Sequence, residues 1–417
     1  MVELPAGALE ITEELLIPAG SRDLEVRGAP CGTVLRASAS FRGRAVIRCE
    51  RSERVTLRGF TIDGNRAALE QPFSLPPSNI TFARFYRNNG ILAENALGFA
   101  VRDVRLREVA NYAVLVSRSI RVLIERVTVE DSGSRNAAGK NNASGGILLE
   151  DGATVFTVRD CQLTNVRGNG IWTHSRFASP RNSRGLIAGN RFYRIGRDAV
   201  QVGHATGVRV ENNTGQYIGY PAEGVDASSG AIPAALDTAG NTAHCEYTGN
   251  RFEEVNGKCI DLDGFHDGSV RGNRCVNHQA PKAYPYGNVG IVFNDSHPHT
   301  HSNNITVEDN EIDGALFSGI FVIGPGHRIV NNRLLNLNTA HCNENRARFG
   351  CYNPAGDPDL LQTGIYLGRG VLRANPARES LIRDNLITGY KMATRCIGTA
   401  PGLNARANRI ESNRCRD

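Results

Sequence analysis

Apolar positions alternate with polar ones in short runs along the chain, and the runs come in a fixed order. One kind opens on a small residue and an Ile or Val: GILAEN from 90, GILLED from 146, GIWTHS from 170, AVQVGH from 199, CIDLDG from 259, GIVFND from 290, GIFVIG from 319 and GIYLGR from 364. A second kind follows, as in FAVRDVRLREV from 99, FTVRDCQLTNV from 156, GSVRGNRCVNH from 268 and HRIVNNRLLNLN from 327. Alternation with a period of two places residues i and i+2 on the same side of a strand. Copies recur roughly every 23–33 residues, with two wider gaps. Helical spacing is almost absent.

The strands within a copy are divided by GN, NN or DN pairs. Gly and Asn tolerate left-handed backbone, which a sharp bend between strands needs. Asn at the same place in successive copies can stack into a hydrogen-bonded ladder. Strands this short bury no core alone, but stacked coils do. The pattern predicts an all-β, right-handed parallel β-helix solenoid with long loops walling a cleft. It reads as one domain over 1–417: an entry and cap at 1–50, coils at 51–395 and a C-terminal cap at 396–417. A propeller would call for longer, more regular strands and usually more aromatics than the 6% present.

The opening LPAGALEITEELLIPAGSRDLEVRGAPCGTVLRA, residues 4–37, is similar to the entry into this fold in many polysaccharide-acting proteins. With the repeats, the chain resembles the pectate-lyase-like superfamily. The resemblance implies a carbohydrate-active enzyme as a class. The Asn-Thr-Asp, Asp-Asp and Gly-His-Gly set of polygalacturonases is missing. One fold hosts many activities, so the site must carry the rest.

Composition changes this picture little. The net charge of +6 is spread over dispersed Arg, with only four lysines, and reads as a solvated surface rather than a nucleic-acid track. No apolar run is long enough to span a membrane. Ten cysteines suggest an oxidising compartment. Cys342 with Cys351 and Cys396 with Cys415 are the expected disulfides. Cys161, Cys245, Cys259 and Cys275 are read as buried small hydrophobes. The start MVELPAG carries no signal peptide and looks like a mature start, so a secreted or periplasmic location is inferred.

Aligning the first strand of each coil on its Ile or Val gives two outward rows. The third position after the anchor reads Glu94, Ser117, Glu150, His174, Gly203 (beside His204), Asp263, Asn294, Ile323 and Gly368. The first reads Leu148, Trp172, Gln201, Asp261, Val292, Phe321 and Tyr366. AALDTAG from 234 fills a gap, with Leu236 inward, and places Asp237 in the third-position row, as a rung neighbour of Asp263. Asp261 and Asp263 then stand about 6–7 Å apart along one strand. Like charges this close raise at least one pKa and separate an acid from a base or nucleophile. The ordinary alternative is a solvated polar face.

Catalytic candidates are Asp237, Asp261, Asp263, His266 and Asp267. Substrate-binding candidates are Glu150, Trp172, His174, His204, Lys258, Arg271 and Asn294, with Trp172 outward where it could stack on a sugar. Loops at 132–145, 175–184, 215–233, 277–288 and 338–363 carry Phe177, Tyr217, Tyr220, Tyr284 and Tyr286 as further ring residues. His297, His299 and His301 alternate in HPHTH but bring no other ligand set, so no metal site is expected.

The leading reading is a glycoside hydrolase or transglycosidase that uses clustered carboxylates on an oligo- or polysaccharide and needs no cofactor. A polysaccharide lyase or uronate C5-epimerase is the second reading. It would use His266, Lys258 and Arg271, with Ca2+ or cations on the substrate acid. DLDGFHDGS is loosely similar to the Asp-Pro-His-Asp stretch of mannuronan epimerases, with an extra residue and no Pro. A non-enzymatic glycan-binding solenoid is the third. A monomer and a homotrimer with an interfacial site both fit the fold.

Overall fold

The anchor residues of the repeats become columns. A computed structural model describes residues 1–72, 74–227, 232–287, 289–341, 362–370 and 373–417. Each coil contributes short strands to three faces, and every ladder between successive coils is parallel. A parallel strand stack with crossover connections takes the right-handed sense. The predicted right-handed parallel β-helix is the observed fold. The chain divides into two compact units, Met1–Val208 with Glu223–Ala231, and Arg209–Ala222 with Ile232–Asp417.

In unit 1 the face built from the first kind of run stacks Ala45–Glu50, Asn89–Glu94, Val114–Ser117, Ile147–Glu150, Ile171–His174 and Val200–Gly203. Its inward anchors are in register: Ile47 with Ile91, Val114 with Ile91 and Ile147, and Ile171 with Ile147 and Val200. All six are buried. Each such side chain contributes about 1.5–3 kcal/mol on leaving water, so a slip of register would be costly.

Unit 2 repeats this face with Ala234–Ala239, Lys258–Asp263, Ile291–Asn294, Ile320–Val322, Ile365–Leu367 and Ile397–Thr399. Leu236, Ile260, Ile291, Ile320, Ile365 and Ile397 form its anchor row. The GN, NN and DN pairs resolve into two jobs. The first residue is left-handed, as at Asn212, Gly249, Gly272, Asp309, Asn331 and Asp384. The second is a rung of a buried ladder. The Nδ2 groups of Asn213, Asn250, Asn273, Asn310, Asn332 and Asn385 each donate to the Oδ1 of the next ladder Asn, at 2.8–3.0 Å, ending on Asn413.

Cys396 and Cys415 are bonded as expected, while Cys342 and Cys351 lie outside the described residues. Cys259 and Cys275 correct the sequence reading: they form a disulfide. Cys259 lies at the start of the strand Lys258–Asp263, and Cys275 lies one coil on, on Arg274–Val276 of a different sheet, opposite Phe252 of the strand that precedes Cys259. Cys161 and Cys245 are buried thiols, as expected. Tyr284 and Tyr286 are buried rather than offered by a loop, with the Tyr284 hydroxyl donating to the Glu254 carboxylate.

Candidate active site

The carboxylates gather in unit 2. Asp261 and Asp263 lie on the strand Lys258–Asp263, and Asp263 pairs in register with Asn294 of the next coil. Asp237 is also there, but its register differs from the expectation. Leu236 is the anchor opposite Ile260, so Asp237 is the first residue after an anchor and stands opposite Asp261, not Asp263. Parallel neighbours lie about 4.8 Å apart, which keeps Asp237 and Asp261 within strong Coulomb range.

Lys258 enters this group and forms an ion pair with Asp261, the two side chains being only 15% and 11% exposed. Burial pulls the Lys258 ammonium down, but Asp261, and behind it Asp237 and Asp263, outweigh burial and leave it raised. It is therefore a fixed positive charge among three carboxylates. Asp261 Oδ1 is buried without a hydrogen-bond partner.

Asp263 is held differently. Its Oδ1 accepts the Ser296 N–H at 2.8 Å, and its Oδ2 accepts the Ser296 hydroxyl. Burial raises the Asp263 carboxyl, the Ser296 bonds lower it, and neighbouring Asp261 raises it again. The net direction is upward. An ion-paired carboxylate and a second one biased toward its neutral form thus sit two residues apart, the pattern that separates acid and base roles.

No repeat pattern singles out Ser296, since it follows the strand in a non-repeating loop. The next buried acid, Asp295, was missed for the same reason. Its Oδ2 meets Asn375 Nδ2 at 3.1 Å and Arg373 Nε at 3.4 Å.

His266 and Asp267 lie past Gly264, whose left-handed φ of 72° turns the chain onto another face. His266 is occupied on both ring nitrogens, by Asp267 Oδ2 and Asn241 Oδ1, each at 2.7 Å. Asp267 also accepts from Asn304 at 2.8 Å, and these bonds, His266 first, hold its carboxyl low. Arg271 is on that same other face, 3.8 Å from Glu308. The structure does not bring His266, Asp267 and Arg271 onto the face of Asp261 and Asp263. Asn294 caps its own loop by accepting the Asp295 N–H at 2.9 Å. Among the described residues no cluster of three or more His, Cys, Asp or Glu side chains is arranged to hold a metal ion.

The unit 1 candidates occupy their predicted rows, Glu150 opposite His174 and Trp172 opposite Leu148. Glu150 and Trp172 are buried and His174 and His204 are half-buried, so Trp172 points outward on its row but is covered rather than exposed. An excursion between Asp63 and Asn89, carrying α1 (Arg66–Leu69) and α2 (Phe82–Phe85), packs on the outward side of this face. The Phe82 ring meets Trp172 at 5.0 Å and His174 at 4.9 Å. Glu150 is fully buried and accepts the N–H groups of Phe82 and Ala83 at 2.8 and 2.9 Å. Burial pushes its carboxyl up to about 7 although those two N–H groups favour the charged form. Burial, with His204 nearby, draws His174 down to about 4. His204 packs against Phe177 at 4.3 Å.

The family model described as right handed beta helix region matches residues 31–182. No curated protein sequence matches the chain. Among solved structures, the Dettilon tailspike protein gp208 is 15% identical with a TM-score of 0.58, over 96% of this chain and 62% of that one. PfbA, a surface adhesin of Streptococcus pneumoniae, is 14% identical with a TM-score of 0.56, over 81% of this chain and 84% of that one. The catalytic domain of a GH87 alpha-1,3-glucanase in complex with tetrasaccharides is 10% identical with a TM-score of 0.58, over 99% of this chain and 64% of that one. The chain thus spans under two thirds of the tailspike and glucanase structures. At such identities the likeness is one of fold: this is a right-handed parallel β-helix protein. No described helix is long and apolar enough to cross a membrane.

Proposed function

We propose that unit 2 carries the active site of a secreted enzyme that cleaves or transfers glycosidic bonds of an oligo- or polysaccharide. The observation that carries this is the Lys258–Asp261 ion pair two residues from Asp263, whose carboxyl is raised. Asp263 is the proton donor to the departing glycosidic oxygen. Asp261 is the base or nucleophile at the anomeric carbon, with Asp237 facing it across the strand pair. Lys258 holds Asp261 in an ion pair, and Ser296 aims Asp263. The glucanase and its bound tetrasaccharides support the substrate class. The two disulfides support an oxidising compartment.

The test is a screen of neutral and uronate polysaccharides for new reducing ends and for ultraviolet absorbance of an unsaturated uronate, with Asp263→Asn and Asp261→Asn as controls. Reducing ends on a neutral glycan that both variants lose are expected. Absorbance on a uronate polymer would overturn the reading in favour of elimination.

A further inference from the structure

Unit 1 holds a covered surface whose chemistry does not match its cover. The outward rows beneath the excursion are Leu92, Leu115, Leu148, Tyr112 and Trp172, with Phe82, Ala83 and Tyr86 packed over them. Tyr86 stands edge-on to Tyr112 at 5.2 Å, and Phe82 edge-on to Trp172. Three polar atoms in this layer are buried with no hydrogen-bond partner: Tyr112 Oη, Trp172 Nε1 and His174 Nδ1. Tyr112 and Trp172 are only 1% and 7% exposed. An unmade buried hydrogen bond is costly, and three beside one another call for an explanation.

The cover is held by the burial of Leu69, Phe82, Ala83 and Tyr86 and by polar latches, its helices lying outside the strand ladders that hold the coils. Glu150 accepts the two N–H groups that open α2. Arg44 donates to the Ala83 carbonyl at 2.6 Å, and Arg176 to the Asn79 carbonyl at 2.8 Å. Arg167 binds Glu70 at 2.5 Å. Between the latches the segment forms only the two four-residue helices, and it turns Leu75 and Ile80 outward to solvent.

We propose that the Tyr112–Trp172–His174 face is a second saccharide-binding surface, and that residues 66–72 and 74–88 are a removable cover on it. The ligand class is a neutral hexose oligosaccharide. Its C–H faces suit the indole and phenol rings, and its hydroxyls can both accept from Trp172 Nε1 and exchange hydrogen bonds with Tyr112 Oη and His174 Nδ1. Glu150 is already engaged and offers such a ligand no free charge. This surface is independent of the carboxylates of unit 2, so it stands whether or not the chain cleaves glycans.

Trp172 is the only tryptophan, so intrinsic fluorescence reads this place alone. The experiment compares the full chain with Glu150→Ala, which releases α2, and Phe82→Ala, which lifts a ring from the indole. Each is followed by emission, acrylamide quenching and titration with maltotetraose, cellotetraose and laminaritetraose. Red-shifted, more quenchable emission is expected in at least one folded variant. At least one tetrasaccharide should then protect Trp172 saturably and bind at least tenfold tighter than to the parent, and adding Tyr112→Phe should weaken it. Unchanged quenching, or exposure without saturable binding, would overturn the proposal. Failure of both variants to fold would also overturn it, since the cover would then be part of the core.

Discussion

Lys258 and Asp261 form an ion pair three residues apart in unit 2, and Asp237 stands opposite Asp261 on the preceding strand. One buried cation thus serves more than one carboxylate. Lys258→Met should strand Asp261 and destabilise the protein by about 3–5 kcal/mol, as expected for breaking a buried pair. Adding Asp261→Leu should recover part of that loss, because no unpaired charge then remains. Urea melts of the single and double variants measure this coupling.

Removing the proposed nucleophile or base should cost more in rate than in stability. Asp261→Asn is expected to lower kcat by about 10²–10⁴-fold with little change in KM. Steady-state kinetics on the glycan found in the screen decide it, and an equal loss in KM alone would assign Asp261 to binding.

The rate should fall on the alkaline side as Asp263 loses its proton. Ser296→Ala deletes a hydroxyl that favours the Asp263 carboxylate, so the Asp263 pKa should rise further. The alkaline limb of the pH–rate profile is expected to move to higher pH in this variant. A shift to lower pH would remove Asp263 from the acid role.

Glu150 and His174 give unit 1 two opposed pH dependences. The Glu150 carboxyl is raised from 4.5 to about 7, so its contribution is present below pH 4.5 and lost as pH rises through about 7. The His174 ring is lowered from 6.5 to about 4, so its contribution is present above pH 6.5 and lost as pH falls toward 4. Each shift corresponds to about 3 kcal/mol, and the two nearly cancel in the parent. Glu150→Gln should unmask the histidine, giving stability that rises with pH between 4 and 6.5 in thermal melts.

The ladder should be more sensitive than the bends beside it. Asn310 accepts from Asn273 and donates to Asn332 and the Val270 carbonyl. Asn310→Ala leaves these buried partners unpaired and should cost about 3 kcal/mol or more. Asp309→Ala changes the left-handed residue before it, φ 57°, and removes the exposed acceptor of Asn331 Nδ2, and should cost about 1–2 kcal/mol. Paired chemical denaturation of the two variants tests the order.

The sequence by itself determined what every coil repeats. Period-two alternation determined which residues point inward, and the anchor row from Ile91 to Val200 and from Leu236 to Ile365 was readable because each coil states it again, whereas Ile47 and Ile397 joined it only in the structure. The GN, NN and DN pairs likewise announced a left-handed bend followed by a ladder Asn. These are local rules, and stacking only brings their copies into line. The same alternation placed Asp261 and Asp263 on one strand side.

Tertiary structure alone decided what occurs once. The register of Asp237 depends on how the chain re-enters the stack after a long loop, and it set Asp237 against Asp261. Ser296 reaches Asp263 through a loop with no repeat partner. Cys259 meets Cys275 because stacking sets Cys275 beside Phe252 on the strand just before Cys259, not because their spacing announces it. The cover over Trp172 comes from an excursion between Asp63 and Asn89 that packs across the face from Ala45–Glu50 to Ile171–His174. Burial there depends on contacts distant in sequence, and alternation reports only the side to which a residue points, not what later lies upon it.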